Sequence, residues 1–124
     1  MAFGHLRVGS RGEHLAEREL KRCGYKIVER NFRCAVGEVD LVAWDGEVLV
    51  FVEVKTRTRA DFTTPQEAVD WKKRRKLAQA CEHYLLKRGL KDVRCRFDVL
   101  AVLLPEGRGK AEVAIIRDAF RLEG

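Results

Sequence analysis

Gly37-Glu38-Val39-Asp40-Leu41-Val42-Ala43 and Val48-Leu49-Val50-Phe51-Val52-Glu53-Val54-Lys55, joined by Trp44-Asp45-Gly46-Glu47, decide the fold of this chain. Two apolar runs rich in β-branched residues, on either side of a short turn containing Asp-Gly, read as a β-hairpin. Val, Leu, Phe and Ala occupy both faces of the runs, so both strands are expected to be buried. Asp40 interrupts the first run, and Glu53 and Lys55 close the second. A lone carboxylate in such surroundings is costly unless it is paired, hydrogen-bonded or bound to a metal. The hairpin therefore carries charges that something must compensate.

Working outward, Leu15, Ala16, Leu20 and Cys23 recur at helical spacing from about Ser10. Ser10 with Glu13 three residues on has the pattern of a capping box, and Gly24 that of a C′ residue. Glu13 and Glu17 share one face of that helix. Tyr25 to Arg30 alternates like a strand, and Asn31 to Cys34 leads into the Gly37 turn. After Lys55, Thr56 to Thr63 reads as a polar loop. Thr64-Pro65-Gln66-Glu67 starts a helix that runs to about Arg88, with Val69, Leu77, Cys81, Tyr84 and Leu85 as its buried stripe and Gly89 as its end. Arg96 to Leu104 and Glu112 to Arg117 are the last two strands, separated by the turn Pro105 to Gly109. The order α-β-β-β-α-β-β predicts a single α/β domain over residues 1–124, with a mixed sheet flanked by helices.

At 124 residues the length suits one domain, and 35% charged against 46% hydrophobic residues suits a folded rather than a disordered chain. The balance is basic, with 25 Lys+Arg against 19 Asp+Glu, which favours a polyanionic partner. Cys23, Cys34, Cys81 and Cys95 lack the spacing of a zinc site and read as small core residues with reduced thiols. No apolar stretch approaches the ~18 residues of a membrane span, and the N-terminus lacks the apolar run of a signal peptide. A cytoplasmic protein without membrane contact is expected. His5, His14 and His83 belong to no recognisable constellation.

Glu53 and Lys55 are two apart on one strand and point to the same face. If Asp40 faces that side too, two carboxylates and an ammonium converge. Hard oxygen ligands, with the Val54 carbonyl beside them, suit Mg²⁺ or Mn²⁺. Such an ion polarises a phosphodiester and lowers the pKa of a bound water. Lys55 would orient that water or neutralise charge on the phosphorane, and Glu13 would reach the ion directly or through water. The same residues admit a plainer reading, in which Glu53 and Lys55 form an ion pair and Asp40 is locked to a backbone amide. Glu38, two residues from Asp40, reads as an outer ligand or a residue at the start of the strand. Asp98 reads as structural, paired with a nearby Arg.

Gly37-Glu38-Val39-Asp40-Leu41 followed by Phe51-Val52-Glu53-Val54-Lys55-Thr56-Arg57 closely resembles the core of the YraN-type family of small bacterial proteins. The resemblance continues through Gly9, Glu13, Ala16, Leu20 and Gly24-Tyr25, then Arg30-Asn31-Phe32-Arg33, Arg96-Phe97-Asp98-Val99 and Asp118-Ala119-Phe120. That family is similar to the archaeal Holliday-junction resolvases and to the restriction-endonuclease-like PD-(D/E)xK fold. The resemblance implies a four- or five-stranded mixed sheet bearing a metal-dependent phosphodiesterase site. Asp40 would be the first acidic residue of the motif, Glu53 the second, Lys55 its lysine and Glu13 the helix-borne acid. Val39 stands where the motif's name has proline, which removes no ligand. The resemblance also implies a homodimer, since a four-way junction has two symmetric cut sites.

Lys72-Lys73-Arg74-Arg75-Lys76 is a basic run spanning more than one helical turn, so its members cannot share one face. Lys72, Lys73 and Lys76, with Arg57 and Arg59 directly after Lys55, are the candidate contacts to a nucleic-acid backbone, DNA above all. Trp44 and Trp71 read as packing residues rather than base-stacking platforms. The expected function is a divalent-metal-dependent endonuclease of the resolvase-like class acting on branched or damaged DNA. The alternative is a module on the same fold that binds nucleic acid without cutting it.

Overall fold

The hairpin forms as read. A computed structural model describes residues 8–58 and 71–120. Its elements are α1 (Val8–Arg22), β1 (Lys26–Cys34), β2 (Gly37–Asp45), β3 (Val48–Thr58), α2 (Trp71–Arg88), β4 (Cys95–Leu104) and β5 (Glu112–Ile116). β2 and β3 pair antiparallel from Asp45↔Val48 to Leu41↔Val52, which leaves Gly46 and Glu47 as the turn. Gly46 supplies the positive φ (+61°) that a two-residue hairpin loop requires at its first position.

The five strands lie in sequence order, β1-β2-β3-β4-β5. All neighbours are antiparallel except β3 and β4, which run parallel and are joined by the crossover that carries α2. This is the mixed α/β sheet expected from the order of elements. β3 and β4 stay in register from Leu49↔Cys95 to Thr58↔Leu104.

The sheet buries both faces. On one side Ala16 and Leu20 of α1 pack with Leu41, Ala43, Val50, Val52 and Leu100. On the other, Leu77, Ala80, Cys81 and Tyr84 of α2 pack with Phe32, Val42, Phe51 and Val99. Tyr84 meets the rings of Phe32 and Phe51 edge-on, at 5.1 and 5.8 Å between centroids. Strands covered on both sides need near-continuous apolar sequence, which is why the hairpin does not alternate. Both helices stop in the same way. Tyr25 N–H reaches back to the Leu20 carbonyl and Leu90 N–H to that of Leu85, each with a glycine in the preceding position.

Asp98, fully buried, is structural as expected. It accepts hydrogen bonds from Tyr25 Oη (3.0 Å), Arg96 Nε (2.8 Å) and the Asp118 backbone N–H (2.9 Å). Arg96 also bonds Asp45 at 2.9 Å, so one network ties β4 to the end of α1 and to the hairpin turn.

Several boundaries differ from expectation. α1 begins at Val8, so Ser10 lies within its first turn rather than capping it. β1 continues to Cys34, with an irregularity between Ile27 and Glu29. β3 runs on through Thr58 because β4 supplies a parallel partner along that whole length, so Thr56 and Arg57 are strand residues and not loop. The helix start at Thr64 to Glu67, and Val69, lie outside the described residues. Trp44 packs against the α2-side core as expected, whereas Trp71 is 67% exposed, with the Arg75 guanidinium 4.9 Å above its ring. All four cysteines are free; Cys81 is buried and Cys95 is exposed, so only the former is a full core residue.

α1 meets β3 at Gly12. A Cβ there would stand 1.7 Å from Thr56 Oγ1 and 2.8 Å from its Cβ. Gly→Ala within a helix ordinarily gains about 1 kcal/mol. Overpacking costs about 1–3 kcal/mol, and a β-branched strand residue has little room to yield. The packing term wins. Gly12→Ala is expected to lower the melting temperature, measured by circular dichroism, and a rise would contradict this close approach of α1 to β3.

Candidate active site

Extending the β2–β3 register by one residue sets Asp40 opposite Glu53, but the ladder stops at Leu41↔Val52. The Val54 N–H instead donates to Asp40 Oδ2 at 2.7 Å. The side chain has taken the place of a backbone carbonyl, and the two strands part there. On the neighbouring strand Asn31 lies between the pairs Arg30↔Leu41 and Phe32↔Val39, and its φ is +50°. The same point marks a change of face. Leu41 packs on the α1 side of the sheet, whereas Val39 and Phe32 pack on the α2 side. Asp40 occupies the changeover, which is how a half-buried carboxylate fits inside an apolar strand.

Glu53 follows Phe51 and shares its face, so it points toward α2. Its side chain is 7% exposed, and its Oε1 receives two ammonium groups, Lys55 Nζ at 3.5 Å and Lys73 Nζ at 2.6 Å. Lys55 is the expected partner, two residues along the strand. Lys73 comes from α2, within the basic run whose members cannot share one face, and was a candidate contact to a nucleic-acid backbone. Lys73 is part-buried and turned toward Glu53, a pairing the sequence reading did not include. Gly37, Glu38, Asp40, Glu53, Lys73, Lys76 and Leu77 line a recess of about 210 Å³. At ~30 Å³ per water it has room for an ion with several waters.

Glu13 does not line the recess but approaches from the α1 side near the parting of β2 and β3. Burial, then the charges of Glu38 and Glu53, raise its carboxyl above the ordinary value, against the opposing charge of Arg33. Arg33 pairs with Glu38 at 3.4 Å. Asp40 is pushed up to about 7, first by burial and then by the charges of Glu53 and Glu13, with the Val54 amide and Lys73 opposing. Glu13, Asp40 and Glu53 therefore form one electrostatic group. Among the described residues no three Asp, Glu, His or Cys side chains stand together as a ready-made metal cluster. The ammonium groups divide unevenly. Burial and the neighbouring Lys73 hold Lys55 below its ordinary value. Burial pulls Lys73 down as well, but Glu53 outweighs it and leaves Lys73 raised.

Of the other candidate contacts, Lys72 and Lys76 are exposed on α2. Arg57 is half-buried and donates to the Thr56 carbonyl at 2.9 Å. Arg59 lies outside the described residues. Glu38, read as an outer ligand or a strand-entry residue, is the second residue of β2 and lines the recess, whereas the pairing of Lys73 with Glu53 was not read from the sequence. The two-residue spacing of Glu38 from Asp40 was a signal for it, and position 73, four residues from both Val69 and Leu77, falls on the apolar stripe read for that helix. No described helix is long and apolar enough to cross a membrane.

A family model described as uncharacterised protein family UPF0102 matches residues 12–102, a span that contains Glu13, Asp40, Glu53, Lys55 and Lys73. A UPF0102 protein of Moorella thermoacetica is 47% identical over 120 residues, covering 97% of this chain and all of the relative. One from Geobacter sulfurreducens is 50% identical over 97 residues, covering 78% of this chain and 76% of the relative. One from Caldanaerobacter subterraneus is 44% identical over 114 residues, covering 91% and 93%.

The charge arrangement makes a stability prediction. Because the folded-state value of Asp40 is raised, its protonated form contributes stability that is present at low pH and lost as pH rises toward about 7. In urea titrations of chelator-treated protein, Asp40→Asn should therefore gain stability relative to wild type between pH 4 and pH 8. A difference that stays flat across that range would contradict the coupling of Asp40 to its acidic neighbours.

Proposed function

This chain belongs to the uncharacterised protein family UPF0102, and we propose that it is a divalent-metal-dependent endonuclease hydrolysing phosphodiester bonds in DNA, on a restriction-endonuclease-like PD-(D/E)xK core. One observation carries the reading. Asp40 and Glu53 are held across from each other where the ladder parts, with the Lys55 ammonium on Glu53. A fold that needed only stability would place apolar residues there, since like charges in a half-buried recess oppose folding.

The donor set fits Mg²⁺ or Mn²⁺. Mg²⁺ is commonly held by one or two carboxylates and keeps several of its waters, so it does not require an all-protein cage. Asp40 and Glu53 would hold it, the Val54 carbonyl follows Glu53 directly in sequence, and Glu13 would act through a water. When bound, such an ion polarises the phosphodiester and lowers the pKa of its water. Val54 N–H fixes the Asp40 carboxylate in place. The Lys55 ammonium, fixed beside Glu53, is suited to orient the attacking water or to neutralise charge developing on the phosphorane. Lys72, Lys76 and Arg57 supply sequence-independent attraction to phosphates, in keeping with a net charge of +6 and a substrate chosen by structure, such as branched or damaged DNA. A homodimer suits a branched substrate with two cut sites, and four free thiols suit the cytoplasm.

A second reading has its own support. The Val54 amide satisfies Asp40, and two lysines neutralise Glu53, without any ion. On that reading the protein binds nucleic acid and does not cut it. Calorimetric titration with Mg²⁺ and Mn²⁺, with cleavage of branched DNA assayed on the same samples, separates the two. Asn retains an acceptor for the Val54 amide, so Asp40→Asn should keep the fold while losing both ion binding and cleavage. Cleavage retained by a pure Asp40→Asn preparation would overturn the assignment, and salt-sensitive DNA binding indifferent to Mg²⁺ in both proteins would favour the binding module.

A further inference from the structure

Two ammonium groups share one carboxylate oxygen in this site, and only one of them has a way out. Lys55 is 13% exposed and sits on β3 where that strand pairs with β4, opposite Ala101. Lys73 is 39% exposed, stands on α2, and reaches Glu53 with a flexible four-carbon stem. Its neighbours in the run, Lys72 and Lys76, are exposed, and Lys76 borders the same recess.

A divalent cation bound by Asp40 and Glu53 would place two further positive charges beside both ammonium groups. Repulsion at such distances in a partly desolvated recess is strong, and the more exposed of the two groups, Lys73, is the one with a path to solvent. From this geometry we propose that Lys73 is the counter-ion of the metal-free site, and that it exchanges Glu53 for a substrate phosphate when a divalent cation takes its place. Lys73 is then a site residue with two alternative partners, a carboxylate before the cation arrives and a phosphodiester afterwards. Glu53 stays neutralised in both states, so the carboxylates remain together without unfolding the end of the hairpin. The inference rests on the metal-dependent reading of the same recess.

The test compares wild type, Lys73→Met, Lys73→Arg and Asp40→Asn, each shown to be folded by circular dichroism. Calorimetry with Mn²⁺ should give about tenfold tighter binding for Lys73→Met, since a competing charged hydrogen bond is gone. Lys73→Arg, which keeps the charge, should remain near wild type, and Asp40→Asn should not bind. Binding to a short branched DNA is then measured against salt, with Ca²⁺ in place of Mg²⁺ and again with chelator. Losing one phosphate contact reduces the slope of log affinity against log salt by about 0.9. Lys73→Met should show that reduction with Ca²⁺ and not with chelator. If Mn²⁺ binds wild type but not Asp40→Asn, and Lys73→Met binds no more tightly than wild type, the exchange is wrong while the metal site stands. An unchanged slope with Ca²⁺ would remove the phosphate partner. Mn²⁺ binding that is absent throughout, or equal in wild type and Asp40→Asn, would overturn the metal-dependent reading and the exchange with it.

Discussion

The hydrogen bond from Val54 N–H to Asp40 is the constraint on which the site depends. A β-ladder normally continues until one strand runs out of residues, and both β2 and β3 have residues to spare beyond Leu41 and Val52. By accepting the amide, the carboxylate ends the ladder without leaving a buried donor unpaired. Two consequences follow. The strands part and open a recess, and Asp40 is pinned opposite Glu53 instead of rotating to solvent. Asn31 on β1, in a left-handed conformation that asparagine tolerates better than most residues, turns the neighbouring strand at the same point.

The rest of the molecule holds that recess under load. α1 approaches β3 so closely that only glycine fits at position 12, which brings Glu13 into the field of Glu38 and Glu53. α2 lays its apolar stripe on the opposite face and delivers Lys73 to Glu53. The Asp98 network clamps the start of β4 to the hairpin turn through Arg96 and Asp45. The contrast between the two buried acids is informative. Asp98 has an arginine, a tyrosine and an amide, whereas Asp40 has one amide and two acidic neighbours.

Much of this was legible in the residues. The hairpin, the order of elements and the convergence of Asp40, Glu53 and Lys55 follow from β-branched runs, an Asp-Gly turn and the two-residue period of a strand. The glycine ends of both helices and the structural role of Asp98 were readable for similar local reasons. What escaped reading depends on tertiary partners. Thr56 and Arg57 looked like loop because their polarity outweighed a strand signal that only β4 supplies. Trp71 looked like core because a large aromatic usually is, yet it stands on the outer side of α2. Lys73 was read for its charge alone, although its place four residues before Leu77 puts it on the inward side of α2; its pairing with Glu53 depends on how that helix packs on the sheet.

The central claim, that Asp40 and Glu53 form a divalent cation site guarded by Lys73, is open to one direct measurement. Crystals soaked in Mn²⁺ and measured at a wavelength where manganese scatters anomalously would locate the ion without reference to activity. The account predicts an anomalous peak between the Asp40 and Glu53 carboxylates, with Lys73 Nζ withdrawn from Glu53 Oε1. A fully soaked crystal with no peak there, and with Lys73 still bonded to Glu53, would contradict it.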